Sequence, residues 1–216
     1  MKPYEESLQQ SLRRDMLVSS LRQKGVDDEN ILSAIGRVPR HLFVPPELSA
    51  KAYLDRPLPI GEDQTISQPY TVAYQTELLM VEAGMKVLEV GTGSAYQSAV
   101  LVEIGAIVYT VERRRKLYER NKKFGYLQQY SHLHFCYGDG FEGWPEAASF
   151  DRILITAAPE RVPIQLMQQL EIGGMMVVPV GSQGRQQMLR ITRHQHKFFE
   201  EVFDKFSFVP MLPGLQ

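Results

Sequence analysis

The chain has 216 residues, 44% hydrophobic and 23% charged, with a net charge of −1. That is enough to bury a full core as one domain with a helical extension. The balance supplies no broad field to steer the protein toward nucleic acid or anionic lipid, and no apolar run approaches the roughly 18 residues that a membrane span needs. One cysteine, Cys136, excludes an internal disulfide. The charged N-terminus, MKPYEESLQQSLRRD, lacks the apolar core of a signal peptide, so a reducing, cytoplasmic setting is expected.

In chain order, Leu12, Met16, Leu17 and Leu21 recur at helical spacing, with Gly25 as a stop. Asp27 or Asp28 is placed to cap a second helix that carries Ile31, Leu32 and Ile35 on one face and closes before Pro39. The five prolines in FVPPELSAKAYLDRPLPIGEDQTISQP predict an ordered but irregular binding loop. Helix resumes at about Thr71 and ends near Gly84. From Lys86 the pattern alternates. Strands are predicted at Val87–Val90, Ile107–Val111, Leu133–Tyr137, Ile153–Thr156 and Met175–Val180, with helices between the first four and around Pro163–Leu170. Such alternation implies a parallel sheet covered on both faces, and runs such as ILI and MMVV fit strands buried on both sides. Cys136, in FCY, reads as a small apolar filler of one strand. Gln187–Thr192 and Phe198–Phe208 leave no room for a crossover helix, so an antiparallel hairpin at the sheet edge is expected.

Ligands of an open parallel sheet sit beyond the C-terminal strand ends where the strand order reverses. The first such end reads VLEVGTGSAYQSAV (87–100), an acid followed by glycines and hydroxyls. A dinucleotide fingerprint wants a third glycine where Tyr96 stands, and no Walker lysine follows, so NAD, FAD and a phosphate-cradling ATP loop are disfavoured. What remains, Glu89 with Gly91, Thr92, Gly93 and Ser94, is the pattern associated with S-adenosylmethionine. Glu112 ends the second strand, where a carboxylate accepts the ribose hydroxyls. Asp139, in Gly138-Asp139-Gly140, follows the third strand and is placed to accept the adenine amino group, its flanking glycines permitting close backbone approach. Singly each acid reads as a solvated loop residue; three acids after successive strands point to a cofactor site.

Several blocks together make the chain resemble the protein-L-isoaspartate O-methyltransferase family: RVPRHLFVP (37–45), DRPLPIGEDQTISQP (55–69), VLEVGTGSAYQSAVL (87–101), GDGFEGWPEAASFDRILITAAP (138–159) and LEIGGMMVVPVG (170–181). The resemblance implies an α/β fold: a doubly wound Rossmann-like methyltransferase sheet, mostly parallel with an antiparallel edge hairpin, plus an N-terminal helical extension. Residues 1–84 would supply the helices and substrate loop, and 85–216 the S-adenosylmethionine-binding core, in one globular unit. The family usually has GTGSGYQ, and here Ala95 replaces the third glycine. Binding is expected to survive if residue 95 has φ below zero, whereas a positive φ costs on the order of 1 kcal/mol.

The implied reaction moves a methyl group to the free α-carboxylate of an L-isoaspartyl residue, with a D-aspartyl residue as a second acceptor. The ester then closes to a succinimide. A carboxylate with a pKa near about 3.5 is already ionised at neutral pH, so no general base is needed. The site must align the reacting atoms and exclude water, using neutral donors. By resemblance Ser67 is the catalytic residue, read as orienting the carboxylate. Thr65, Phe208 and Val209 are placed at the substrate; Ile66, Gln68 and Gly140 join the cofactor set. Ser67 and Gln68 also read as caps of the following helix.

The pairs His132/His134 and His194/His196 have no nearby carboxylate or cysteine partner in sequence, so they read as solvated strand residues and no metal is expected. Arg113 to Arg115 read as a solvated helix start, and Trp144 as an anchor for the Asp139 loop. Two alternatives stay open: a methyltransferase for another acceptor, and a cofactor-binding relative with weak or no turnover. Against the first, Thr156-Ala157-Ala158-Pro159 offers no side chain to hold a base amine. The expected partners are isoaspartyl peptides and proteins, with no nucleic acid or membrane, the protein acting as a monomer.

Overall fold

The computed structural model describes residues 6–182, 184 and 186–216; Met1 to Glu5, the start of the charged N-terminal stretch, lie outside the described residues. Helix α1 (Leu8–Gln23) opens on a capping box in which Ser7 and Gln10 satisfy each other's backbone N–H groups. Of its expected apolar face only Leu17 and Leu21 are buried, while Leu12 and Met16 are 54% and 71% exposed. Neighbours in a helix point about 100° apart, so Met16 cannot share the side on which Leu17 meets the core. Helix α2 (Glu29–Arg37) is capped by Asp28, whose carboxylate accepts the Asn30 and Ile31 N–H groups, and it buries Ile31, Leu32 and Ile35 as expected.

The proline-rich segment is more regular than expected. Two 3-10 turns (Arg40–Phe43 and Pro46–Lys51) lead into a hairpin of β1 (Leu58–Gly61) and β2 (Gln64–Ile66). Its two turn residues, Glu62 and Asp63, both have φ 52°, the sign that matches the twist of a two-residue hairpin. Pro59 sits in a two-stranded ribbon, where a missing N–H is tolerated. Helix α3 (Pro69–Leu79) starts before Thr71, because proline suits the first helical turn. It stops well short of Gly84, with Met80 turned left-handed at φ 52°.

The main sheet holds β3 (Lys86–Val90), β4 (Ile107–Glu112), β5 (Leu133–Tyr137), β6 (Phe150–Ile155), β7 (Leu170–Val180), β8 (Gln186–Arg193) and β9 (Phe198–Phe206), in the order β5-β4-β3-β6-β7-β8-β9. The first five of that order run parallel, and β8 and β9 form the expected antiparallel edge. Helices α4 (Tyr96–Ile104), α5 (Arg115–Lys123) and α6 (Ile164–Gln168) lie between strands. No α-helix joins β5 to β6, contrary to expectation. That link has Gly138, Gly140 and Gly143 before Pro145, a composition that opposes helix, and forms only a 3-10 turn (Pro145–Ala147). Strands β6 and β7 start earlier than expected because Phe150 already pairs with Leu170 across a register shift.

The strands alternate between two apolar layers. Val87 and Val108 pack with the buried faces of α1 to α4, while Leu88, Val90 and Ile153 pack on the opposite face with Leu166 and Met176. Among the described residues no helix is long and apolar enough to cross a membrane. Strand order reverses between β3 and β6, and that junction fixes where a ligand can sit.

Candidate active site

At the junction, Thr156 N–H donates to Val90 O at 3.0 Å and Thr156 Oγ1 to Gly91 O at 2.7 Å, so the first residues after β3 and β6 lock together. Only glycine fits at 91: its φ is 100°, and a Cβ there would lie 2.7 Å from Thr156 Oγ1. The turn continues through Thr92, whose hydroxyl meets that of Thr110 at 2.7 Å, to Gly93 and Ser94. Ala95 then enters α4 with φ 64° and ψ 17°. The positive φ decides the question left by the missing glycine: the turn carries the left-handed cost.

Two elements hold the turn, and a third covers it. Glu112, at the end of β4, accepts the Gly93 N–H on Oε2 at 2.8 Å and the Arg114 N–H on Oε1 at 2.9 Å. Asn121 Nδ2 donates to Gly93 O at 2.9 Å. Above them, the β1–β2 hairpin is tied to α5 by Arg120, which donates to Ile60 O at 2.9 Å, and by the Lys116–Glu62 pair at 3.1 Å.

These parts wall a cavity of about 280 Å³, at the lower end of the ~300–1,000 Å³ usual for small-ligand pockets. Of the residues expected at the site, Thr65, Ile66, Ser67, Glu89, Gly91, Thr92, Gly93, Ser94, Glu112, Gly140 and Val209 line it. Three do not. Gln68 points its amide to Asp55 Oδ2 at 3.1 Å instead. Phe208 donates its N–H to Gln186 Oε1 at 2.9 Å and packs near Phe206. Asp139 stands behind Gly140: its Oδ1 accepts the Phe141 N–H at 2.9 Å, and its other oxygen accepts the Gly214 N–H. Gly140 itself must be small, since a Cβ would meet Val90 Cγ1 at 2.6 Å. The capping role open to Ser67 and Gln68 is not taken up: α3 has no side-chain cap from its own N-cap residue, and Asp55 Oδ1 accepts the Tyr70 N–H at 2.8 Å.

The electrostatics suit a cation bearing hydroxyls better than a phosphate. Glu89 is 0% exposed, with Ser98 Oγ donating to Oε2 and Oε1 buried without a hydrogen bond among the described residues. Burial pushes its carboxyl up to about 7, although the Ser98 and Thr110 hydroxyls pull the other way. Burial likewise raises Glu112, against the pull of its backbone donors. Arg113 also lines the cavity, but its guanidinium is spent on the C-terminal segment, donating to Pro213 O (3.0 Å), Gly214 O (2.8 Å) and Gln216 Oε1 (3.1 Å).

That segment forms the rest of the wall. Ala158 N–H donates to Val209 O and Met211 N–H to Ala158 O, each at 2.8 Å, and residues 209–212 pass over the cavity before Arg113 secures the end. Sequence reasoning missed Arg113, Gln97, Tyr96 and Asn121. Asn121 alone carried a local signal: it lies four residues after Leu117, and the two are the buried residues of a helix otherwise made of charged residues and Tyr118. Tyr96, standing where a dinucleotide fingerprint wants glycine, turns toward Phe43 (ring centroids 5.4 Å apart) and lines the cavity.

Comparison with known proteins agrees with this geometry. The family model described as protein-L-isoaspartate(D-aspartate) O-methyltransferase matches residues 12–216. A protein-L-isoaspartate O-methyltransferase of Christiangramia forsetii is 47% identical over 200 residues, covering 93% of this chain and 94% of that one. A solved protein-L-isoaspartate O-methyltransferase superposes with a TM-score of 0.83 at 28% identity, over 94% of this chain and 67% of that one. A Plasmodium falciparum protein solved with S-adenosyl-L-homocysteine shares the fold, with a TM-score of 0.79 at 19% identity, over 92% of this chain and 98% of that one. The chain belongs to the protein-L-isoaspartate(D-aspartate) O-methyltransferase family.

Proposed function

We propose that this cavity is where a methyl group passes from S-adenosylmethionine to the free α-carboxylate of an L-isoaspartyl residue, and of a D-aspartyl residue where one fits, in a damaged protein. The carrying observation is that the acceptor loop, Thr65 to Ser67, and the donor turn, Gly91 to Ser94, wall one and the same cavity. Family membership supplies the reaction, and the cavity supplies its parts.

The residues present suit the cofactor. Glu89 Oε1, a buried oxygen without a hydrogen bond among the described residues, fits an ammonium group. Glu112 has one lone pair left on each oxygen after its backbone bonds, enough to accept from ribose hydroxyls. Gly140, packed so closely on Val90 that no Cβ would fit, brings bare backbone to the cavity wall, where a flat ring can approach it. When bound, S-adenosylmethionine supplies an electrophilic methyl group on a sulfonium.

The protein's own task is placement. The acceptor carboxylate arrives ionised, so Ser67 orients it by donating a hydrogen bond and removes no proton. Ile66, 2% exposed, and Val209 keep the cavity wall apolar beside the reacting centre. Charge on both reactants vanishes as the methyl moves, so a dry wall favours the transition state over the separated ions. The cytoplasm as its location, the monomeric state and the absence of nucleic-acid or membrane partners belong to this same reading, which rests on composition and charge.

The test uses methyl-labelled cofactor with an isoaspartyl peptide beside its aspartyl twin. Label in the isoaspartyl peptide alone is the expected result. Label in neither, or only in other acceptors, would overturn the proposal.

A further inference from the structure

We infer that Arg40 is the positioning residue of the methyl transfer: its guanidinium, wedged between the acceptor loop and the donor turn, sets where the Ser67 hydroxyl stands. The inference rests on the reading of Ser67 as the group that orients the acceptor.

Arg40 is 0% exposed. Its Nε donates to Ala52 O and its Nη2 to Ser67 O, both at 2.8 Å. Its Cζ lies over the Tyr96 ring, 4.7 Å from the centroid. Tyr96 directly follows Ala95, the last residue of the donor turn, and Ser67 directly follows β2. One rigid cation therefore touches both halves of the site.

Packing alone does not account for this residue. A fully buried charge is costly unless it is paired, and no carboxylate lies within ion-pair distance of Arg40 among the described residues. Its Nη1 is buried without a hydrogen bond among the described residues. Burial pulls the guanidinium down to about 10, so it stays charged at neutral pH. An apolar side chain would fill the same space at lower cost, but only a planar fork joins two carbonyls while stacking on a ring.

The way the charge is spent also suits the reaction. A cation facing the acceptor carboxylate would hold its electrons back. Here the guanidinium grips the loop through the Ser67 carbonyl, so the backbone is fixed while the hydroxyl remains the donor offered to the acceptor. Holding the Ser67 carbonyl, one residue before Gln68, whose backbone Pro69 already restricts, fixes the backbone from which the Ser67 hydroxyl projects.

Arg40→Lys keeps the charge and loses the fork. Expected are a kcat for an isoaspartyl peptide at least tenfold lower and a cofactor Kd, by calorimetry, within threefold of the parent. Because Arg40 acts through Ser67, the double variant with Ser67→Ala should be no slower than the worse single variant. Methylguanidine should restore part of the turnover of Arg40→Ala. Cofactor affinity falling in step with turnover, or additive losses in the double variant, would make Arg40 an ordinary core residue and overturn the assignment. If Arg40→Lys matches the parent while Ser67→Ala is slow, the assignment fails and the reading of the site stands. If Ser67→Ala is as fast as the parent, that reading fails and takes the assignment with it. Should the variants not fold, the parent protein provides the test: the Arg40 Nε–Hε NMR resonance should shift when an isoaspartyl peptide joins the S-adenosylhomocysteine complex, and an unmoved resonance overturns the assignment.

Discussion

Glu112 holds Gly93 in place across two strands: its Oε2 accepts the Gly93 N–H at 2.8 Å, so the acid that ends β4 shapes the turn that follows β3. The second oxygen is equally occupied, by the Arg114 N–H. Glu112→Ala removes both acceptors and leaves two part-buried N–H groups unpaired, each costing up to about 1–3 kcal/mol. Expected are a cofactor Kd raised at least tenfold by calorimetry and a lowered Tm. Unchanged affinity would remove Glu112 from the cofactor site.

Ser67→Ala separates the two ends of the cavity. A hydrogen bond to a charged group is worth about 1.5–3 kcal/mol, or roughly ten- to a hundredfold in rate when it is realised in the transition state. Turnover with an isoaspartyl peptide should fall by that factor while cofactor affinity moves by less than threefold. Equal turnover in variant and parent would exclude Ser67 from the mechanism.

Glu89 predicts a pH dependence with a definite sign. Its folded pKa, about 7, lies above the ordinary 4.5 because of burial. Its contribution to the stability of the cofactor-free protein is therefore fully present below about 4.5 and lost as pH rises through about 7, in total on the order of 3 kcal/mol. Binding of a cationic ligand runs the other way, tightening over the same window as Glu89 ionises. The difference between the parent and Glu89→Gln, in denaturant unfolding and in cofactor titration from pH 5 to pH 8, isolates the effect. Parallel profiles for the two proteins would refute it.

Ala95 tests the turn itself. At φ 64° a β-branched side chain is strongly disfavoured, and the position is fully buried. Ala95→Val should destabilise by more than about 2 kcal/mol. Ala95→Gly relieves about 1 kcal/mol of left-handed cost but gives up a buried methyl worth about 0.8 kcal/mol, so its stability should stay within about 1 kcal/mol of the parent. Chemical denaturation decides both cases.

The parts of the molecule legible in sequence are those whose physics is local. Strands β3 and β4 announce themselves as apolar runs, and their C-terminal ends bring Glu89, Gly91 and Glu112 around one cavity. The hairpin of β1 and β2 was hidden because Pro57 and Pro59 read as breakers, although a two-stranded ribbon leaves one edge of each strand unpaired. Leu12 and Met16 misled because apolar spacing in a helix does not say which side meets the core. Arg113 gripping residues 213–216, and Arg40 reaching Ser67 across 27 positions, leave no periodic trace at all. Asp139 shows the opposite limit: its position after β5 was read correctly, yet a contact from 75 residues away turns its carboxylate toward Gly214.

That contact bears on the protein's own ageing. Asp139-Gly140 is the one Asp-Gly step in the chain. Ring closure onto the following nitrogen is least hindered before glycine, which has no Cβ in the way. Closing the ring requires the Asp139 carboxyl to swing onto Gly140 N, and that breaks its bonds from both the Phe141 and Gly214 N–H groups. The two bonds thus hold the Asp139 carboxyl away from Gly140 N, so ring closure at this step requires the local fold, and the tether of the C-terminal segment, to open first.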